Sequence, residues 1–318
     1  MNRKILQVGP STLAVSLPSS WTKKFNIKKG EELTLEEQGN SLRIKTSSPI
    51  EEESAKINVS LLHPFSTKII GMLYRAGYKK IKAIYTPNKT VTHRGKQLKE
   101  LDMIQNTFDH LTGMQLWELG NEKEYYATII ESAKVNPKEF ENILNKLYLH
   151  LIHQSEQIYN ALLNNKDSFD EAYLTERLIN QAQDFCIRIL ASHGHEDHKK
   201  TLHYNNLIYK LESIGDKYFQ IALSHHKNKE KINPETLQYI EKAIAFIKES
   251  ISLCRKFNFE KITSLIKELN ESIKNYQEEI KKQETKSTLI SFNIYSILLE
   301  IYEIIEILFF LNHTYFKE

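Results

Sequence analysis

From residue 136 onward one pattern limits the fold more than any other. Apolar residues return every three or four positions, and the run is restarted by the same device. Asn136-Pro137-Lys138-Glu139 supplies an N-cap, a proline at the first helical position and an acid able to close a capping box; Asn233-Pro234-Glu235-Thr236 repeats the device 97 residues later. Phe140, Ile143, Leu144, Leu147 and Leu151 keep step after the first start, and Leu237, Ile240, Ala243, Ile244 and Ile247 after the second. Two further helical stretches follow each start: Phe169 to Leu190 and Lys199 to His226, then Phe259 to Glu284 and Thr288 to Phe316. The spacing predicts an all-α body of two tandem three-helix units, residues 136–228 and 233–318.

Upstream the period changes. Residues 3 to 46 read as strand, turn, strand, short helix, strand, turn, strand. Leu13, Val15 and Leu17 alternate after a Gly9-Pro10-Ser11 turn, Trp21 and Phe25 share one side of a short helix, and Leu33, Leu35, Leu42 and Ile44 alternate about Gly39-Asn40. A module of this size, residues 1–47, has too little apolar area to offset its chain entropy alone, so it is expected to dimerise. A polar linker, residues 46 to 54, follows. Residues 55–132 then read as a small α/β domain: strand Lys56 to Leu61, helix Pro64 to Ala76, strand Lys80 to Tyr85, helix Gly95 to Leu111, and a hairpin of Met114 to Leu119 with Tyr125 to Ile130.

Charge separates the parts. The net charge is +3, yet residues 1–50 hold eight Lys/Arg against four Glu, leaving 35 basic and 36 acidic residues elsewhere. A basic module on a neutral body is the footprint of a nucleic-acid contact. Cys186 and Cys254 lie inside apolar periodic segments, which suggests neither a disulfide nor a cysteine metal site and fits a reducing cytoplasm. The start MNRKILQVGPS has no apolar core of signal-peptide length. Leu289 to Asn312 is long enough to span a bilayer but carries Glu300, Glu303 and Glu306, so it reads as a bundle helix rather than a membrane span. No phosphate loop, catalytic carboxylate pair or nucleophile elbow is present, and no enzyme is expected.

One motif points elsewhere. His193, His195, Asp197 and His198 spell H-x-H-x-D-H, the ligand pattern of metallo-β-lactamase-like hydrolases. In such enzymes it follows a buried strand. Here the lead-in has a helical period opened by Ser168 and Glu171 as a capping box, and another amphipathic helix follows. The motif therefore reads as an interhelical loop ended by Gly194, with an adventitious metal at His193, His195 and His198 as the remaining alternative.

The stretch RKILQVGPSTLAVSLPSSWTKKFNIKKGEELTLEEQGNSLRI resembles the AbrB/SpoVT swapped-hairpin DNA-binding domain, in the form found at the N-terminus of archaeal PhoU-like phosphate uptake regulators. Toxin–antitoxin antidotes share that fold. The resemblance implies a small barrel of two interleaved chains, a homodimer, with Arg3, Lys4, Lys23 and Lys24 facing DNA. The turn that carries an arginine in bacterial relatives is Gly9-Pro10-Ser11-Thr12 here, which leaves phosphate contacts but puts base reading in doubt. In the body, LESIGDKYFQIA, residues 211 to 222, resembles the PhoU segment L-E-R-I-G-D-H-A-x-x-I-A. It implies a divalent metal or iron held by Glu212 and Asp216, four apart on one helix face. The partner acids are thinned to Glu176 and Asp184, with Asn180 and Gln181 in the acidic region, and a lysine-paired or solvated groove is the other reading. Together the expectation is a multidomain α+β cytoplasmic regulator of phosphate homeostasis. The alternative is a PhoU-type scaffold that restrains a phosphate transporter or sensor kinase without touching DNA.

Overall fold

The computed structural model describes residues 2–38, 41–46, 54–93, 96–120, 124–229, 231–282 and 288–312. The chain divides into two compact units, Met1–Ser54 and Ala55–Glu318. In the first, β1 (Ile5–Gln7) pairs antiparallel with β2 (Leu13–Val15), α1 (Ser19–Lys24) follows, and β3 (Leu33–Gln38) pairs antiparallel with β4 (Ser41–Thr46). The Gly39-Asn40 turn lies outside the described residues, as does the linker between Thr46 and Ser54.

The second unit opens with an α/β layer. Strands β5 (Ser54–Asn58), β6 (Lys80–Ile84), β9 (Met114–Leu119) and β10 (Tyr126–Glu131) form a sheet in the order β5-β6-β10-β9. Ile81, Ala83, Ala127 and Ile129, alternate residues of the central strands, meet Ile70 and Tyr74 of α3 (Ser66–Arg75) and Met103, Ile104 and Phe108 of α4 (Glu100–Phe108) in one core. Two expectations are corrected. The strand expected over Lys56 to Leu61 stops at Asn58, whose side chain accepts from the Ser60 N–H at 3.1 Å and starts the single turn α2 (Val59–Leu62). The helix expected from Gly95 begins only at Glu100, because β7 (Thr90–His93) and β8 (Lys96–Lys99) form a hairpin that pairs Val91 with Leu98 and buries Val91. The β-branched run Thr90-Val91-Thr92 is the signal that favours a strand.

The helical body comprises α5 (Phe140–Leu163), α6 (Phe169–His193), α7 (Thr201–Asn228), α8 (Pro234–Arg255), α9 (Phe259–Lys282) and α10 (Thr288–Leu311). Both asparagine caps form. Asn136 accepts from the Lys138 N–H at 3.1 Å and opens a 3-10 turn, and Asn233 accepts from the Thr236 N–H at 2.6 Å. The expected Ser168 capping box does not: Asp167 takes its place, accepting from the Phe169 N–H at 3.0 Å, while Ser168 is buried. α5, α6 and α7 pack on one another, as do α8, α9 and α10, and the halves join through α5 against α8 and α7 against α10. Those two pairings join the first helix of one half to the first of the other, and the third to the third. Apolar side chains from all six helices share one continuous core. No helix among the described residues is long and apolar enough to cross a membrane.

The α/β layer is tied to the bundle by a charge. Arg188 of α6 is 1% exposed; its guanidinium donates to the carbonyls of Tyr74 (2.5 Å) and Tyr78 (3.1 Å) and to Glu131 Oε1 (2.7 Å), and it lies 4.6 Å from the Tyr74 ring centroid. Four residues earlier, Asp184 accepts from Arg75 Nη1 of α3 at 2.8 Å. Removing one member of a buried pair leaves the other charge without compensation. Arg188→Ala is expected to destabilise the second unit by about 3–5 kcal/mol in urea unfolding, several times the effect of an exposed Lys→Ala such as Lys267→Ala.

Candidate nucleic-acid interface and acidic face

Within the N-terminal module, Pro18 sets an extended φ of −62° and its carbonyl receives the Trp21 and Thr22 N–H groups, which starts α1. Lys23 and Lys24 fall in the last turn, where a helix favours cations. Trp21 and Phe25 sit 5.6 Å apart, and Lys24 Nζ lies 5.5 Å from the Phe25 centroid. Arg3 and Lys4 stand immediately before β1 rather than within it. All four cations are exposed, and among the described side chains none of them forms an ion pair. The turn after β1 is closed by Val8 N–H to the Thr12 carbonyl at 2.8 Å, with Gly9 at φ +98°, a left-handed conformation that glycine adopts without strain.

None of the module's described residues is buried. Trp21, Phe25, Leu33 and Ile44 are half-buried, while Ile5 at 69%, Leu13 at 67% and Leu42 at 63% are exposed. Ile5 pairs with Val15 across the first hairpin, and Leu35 and Leu42, both exposed, lie on the second. Exposed apolar side chains on both hairpins are of the kind that mark an interaction surface.

Residues 6–52 match an antitoxin family. The matching model is described as "Antidote-toxin recognition MazE, bacterial antitoxin". No curated protein matches the chain, and no solved structure does. The N-terminal module is thus AbrB-like, and the MazE-type match runs from Leu6, within β1, through β4 and past Thr46. It leaves the α/β layer and the helical body untouched.

In the body, Glu212 of α7 is half-buried beside Gln183 of α6; burial first, then the neighbouring Asp216, with smaller pushes from Asp184 and Glu176, raises its pKa to about 7 against the lowering by Gln183. Asp216 is exposed. Glu176 accepts from Asn180 Nδ2 at 2.8 Å, and Asp184 is held by Arg75. Among the described residues, no three His, Cys, Asp or Glu side chains are arranged to hold a metal ion, so the donor set does not fit the metal that the resemblance implies. The second-half acids differ again: Glu300 is bonded to Lys210 (2.9 Å), Lys217 (3.1 Å) and Ser213 (3.0 Å), and Glu303 also pairs with Lys210.

The histidine motif is built into a loop. His193 ends α6 and Gly194 turns the chain at φ +77°. His195 lies inward, stacked on Tyr204 at 4.5 Å and edge-on to Phe140 at 5.8 Å, and its Nδ1 accepts from the Asp197 N–H at 3.0 Å. Asp197 caps the next turn through the Lys199 N–H at 3.2 Å, and His198 is exposed. Arg188 escaped the sequence reading. Its signal was present: a lone charge between Cys186-Ile187 and Ile189-Leu190, four residues after Asp184 on the same helix.

Because the folded-state pKa of Glu212 is raised, its contribution to stability is full below the unfolded carboxylate pKa and is lost as pH climbs through about 7. Glu212→Gln is expected to leave stability near pH 4.5 unchanged. At pH 8 it should raise stability by on the order of 1–2 kcal/mol, after discounting for partial exposure; urea titrations at the two pH values measure the difference.

Proposed function

We propose that the chain is a DNA-binding transcriptional regulator linked to phosphate uptake, dimeric through its N-terminal module, with a PhoU-like helical body that receives the signal. The observation that carries the reading is the coincidence, within residues 6–52, of an AbrB-like match with a module that leaves its own apolar side chains uncovered. A second copy interleaving its hairpins would cover Ile5, Leu13, Val15, Leu35 and Leu42. It would also double Arg3, Lys4, Lys23 and Lys24 into one basic face. Those groups neutralise phosphates and so supply affinity and salt dependence without choosing a sequence, and the Gly9 to Thr12 turn adds no arginine. The phosphate link rests on the likeness of residues 211 to 222 to the PhoU segment.

Gel shifts of the full chain on duplex DNA across a salt series test the reading. Binding is expected to weaken steeply with salt, and Lys23→Ala with Lys24→Ala should make the log–log slope shallower by about 2 to 4, one or two lysines per copy being counted. DNA retention absent even at low salt would favour the scaffold that restrains a transporter or kinase. Dimerisation is tested separately: Val15→Asp places a charge in the apolar hairpin and is expected to yield monomers by sedimentation at micromolar concentration, with DNA binding reduced by about tenfold or more.

A further inference from the structure

The acids on α6 and α7 lie where the PhoU likeness implies a metal, and each with a described hydrogen bond already has a protein donor. Glu176 takes the Asn180 amide at 2.8 Å and Asp184 the Arg75 guanidinium at 2.8 Å. α3 passes Asp184 at Gly71: the position a Cβ would take there lies 4.0 Å from Asp184 Oδ2. One turn along α6 the polarity reverses. Arg188 supplies the cation and Glu131 of β10 the acid, at 2.7 Å.

We propose that this face of α6 is a latch between the α/β layer and the helical bundle, in which Arg75–Asp184 and Arg188–Glu131 act as a reciprocal pair, and not a metal centre. Asp184 is committed to Arg75, and drawing it to a cation would leave Arg75, three-quarters covered, without its counter-charge. The second half of the body follows the same logic. Glu300, 16% exposed, is bonded by Lys210, Lys217 and Ser213 of α7 and so cross-links α7 to α10. In both halves an acid of the body, Asp184 or Glu300, pairs with a cation of a neighbouring element. The Asn180 amide donates to Glu176, one of the carboxylates that a multinuclear centre would need open.

The test uses the full chain purified without a tag. Its metal content is measured by mass spectrometry, its thermal unfolding is followed with added Mn2+, with Zn2+ and with EDTA, and amide exchange is read across residues 66–75 in Asp184→Asn and Glu212→Gln. The latch predicts no metal at a stoichiometric level and a melting temperature that moves by less than about 1 °C with either ion or the chelator. It also predicts exchange in α3 faster by about tenfold in Asp184→Asn and no acceleration in Glu212→Gln. If Asp184→Asn does not fold, Arg75→Gln breaks the same pair from its more exposed side and must give the same acceleration. A metal that copurifies at one or more per chain and disappears in Glu212→Gln overturns the proposal, as does α3 exchange that stays unchanged when the Arg75 pair is broken. Neither outcome depends on whether the N-terminal module binds DNA.

Discussion

The burial of Arg188 governs how the second unit is put together. A guanidinium taken out of water needs its donors matched, and the matching acceptors come from three places: the carbonyl of Tyr74 near the end of α3, the carbonyl of Tyr78 just beyond it, and the carboxylate of Glu131 at the end of β10. The sheet and its helix must therefore arrive together at one spot on α6. Apolar packing alone is tolerant of small shifts, and a buried charge with three fixed partners is not. Phe185, which packs against both cores, sits between the two arginine pairs and closes the same joint with an apolar contact.

Much of the helical body was legible because its signals are local. Asn136 and Asn233 each need only a backbone N–H two or three residues away, and the apolar period that follows repeats every turn. The same locality explains the Ser168 error: Asp167 and Ser168 are adjacent oxygen-bearing side chains, and nothing within four residues says which will reach the N–H of Phe169. The β7–β8 hairpin was missed for a related reason. Lys96-Gln97-Leu98-Lys99 runs on into the helical pattern of α4, and only the pairing with Thr90 to His93 holds it as a strand.

The sites divide along the same line. The exposure of Arg3, Lys4, Lys23 and Lys24 follows from their type and needs no tertiary knowledge, whereas the fate of each acid depends on a residue far away in sequence. Asp184 meets Arg75 across 109 positions and Glu300 meets Lys217 across 83. A pattern of acids four apart on a helix reads alike whether the partner is an ion, a lysine or an amide. The histidine motif carries the same ambiguity, and its resolution lies in Tyr204, which stacks on His195, and Phe140, which meets it edge-on.

The joining of α7 to α10 has a consequence for how the chain matures at the ribosome. Of the described helices α10 is made last, yet it touches α7, α8 and α9 and completes the core on which the others depend. Until it emerges, the earlier helices expose the apolar stripes it will cover. Residues of the first unit leave the ribosome before that core can close, so the unit with no buried side chain among its described residues is in solution while the bundle is still open.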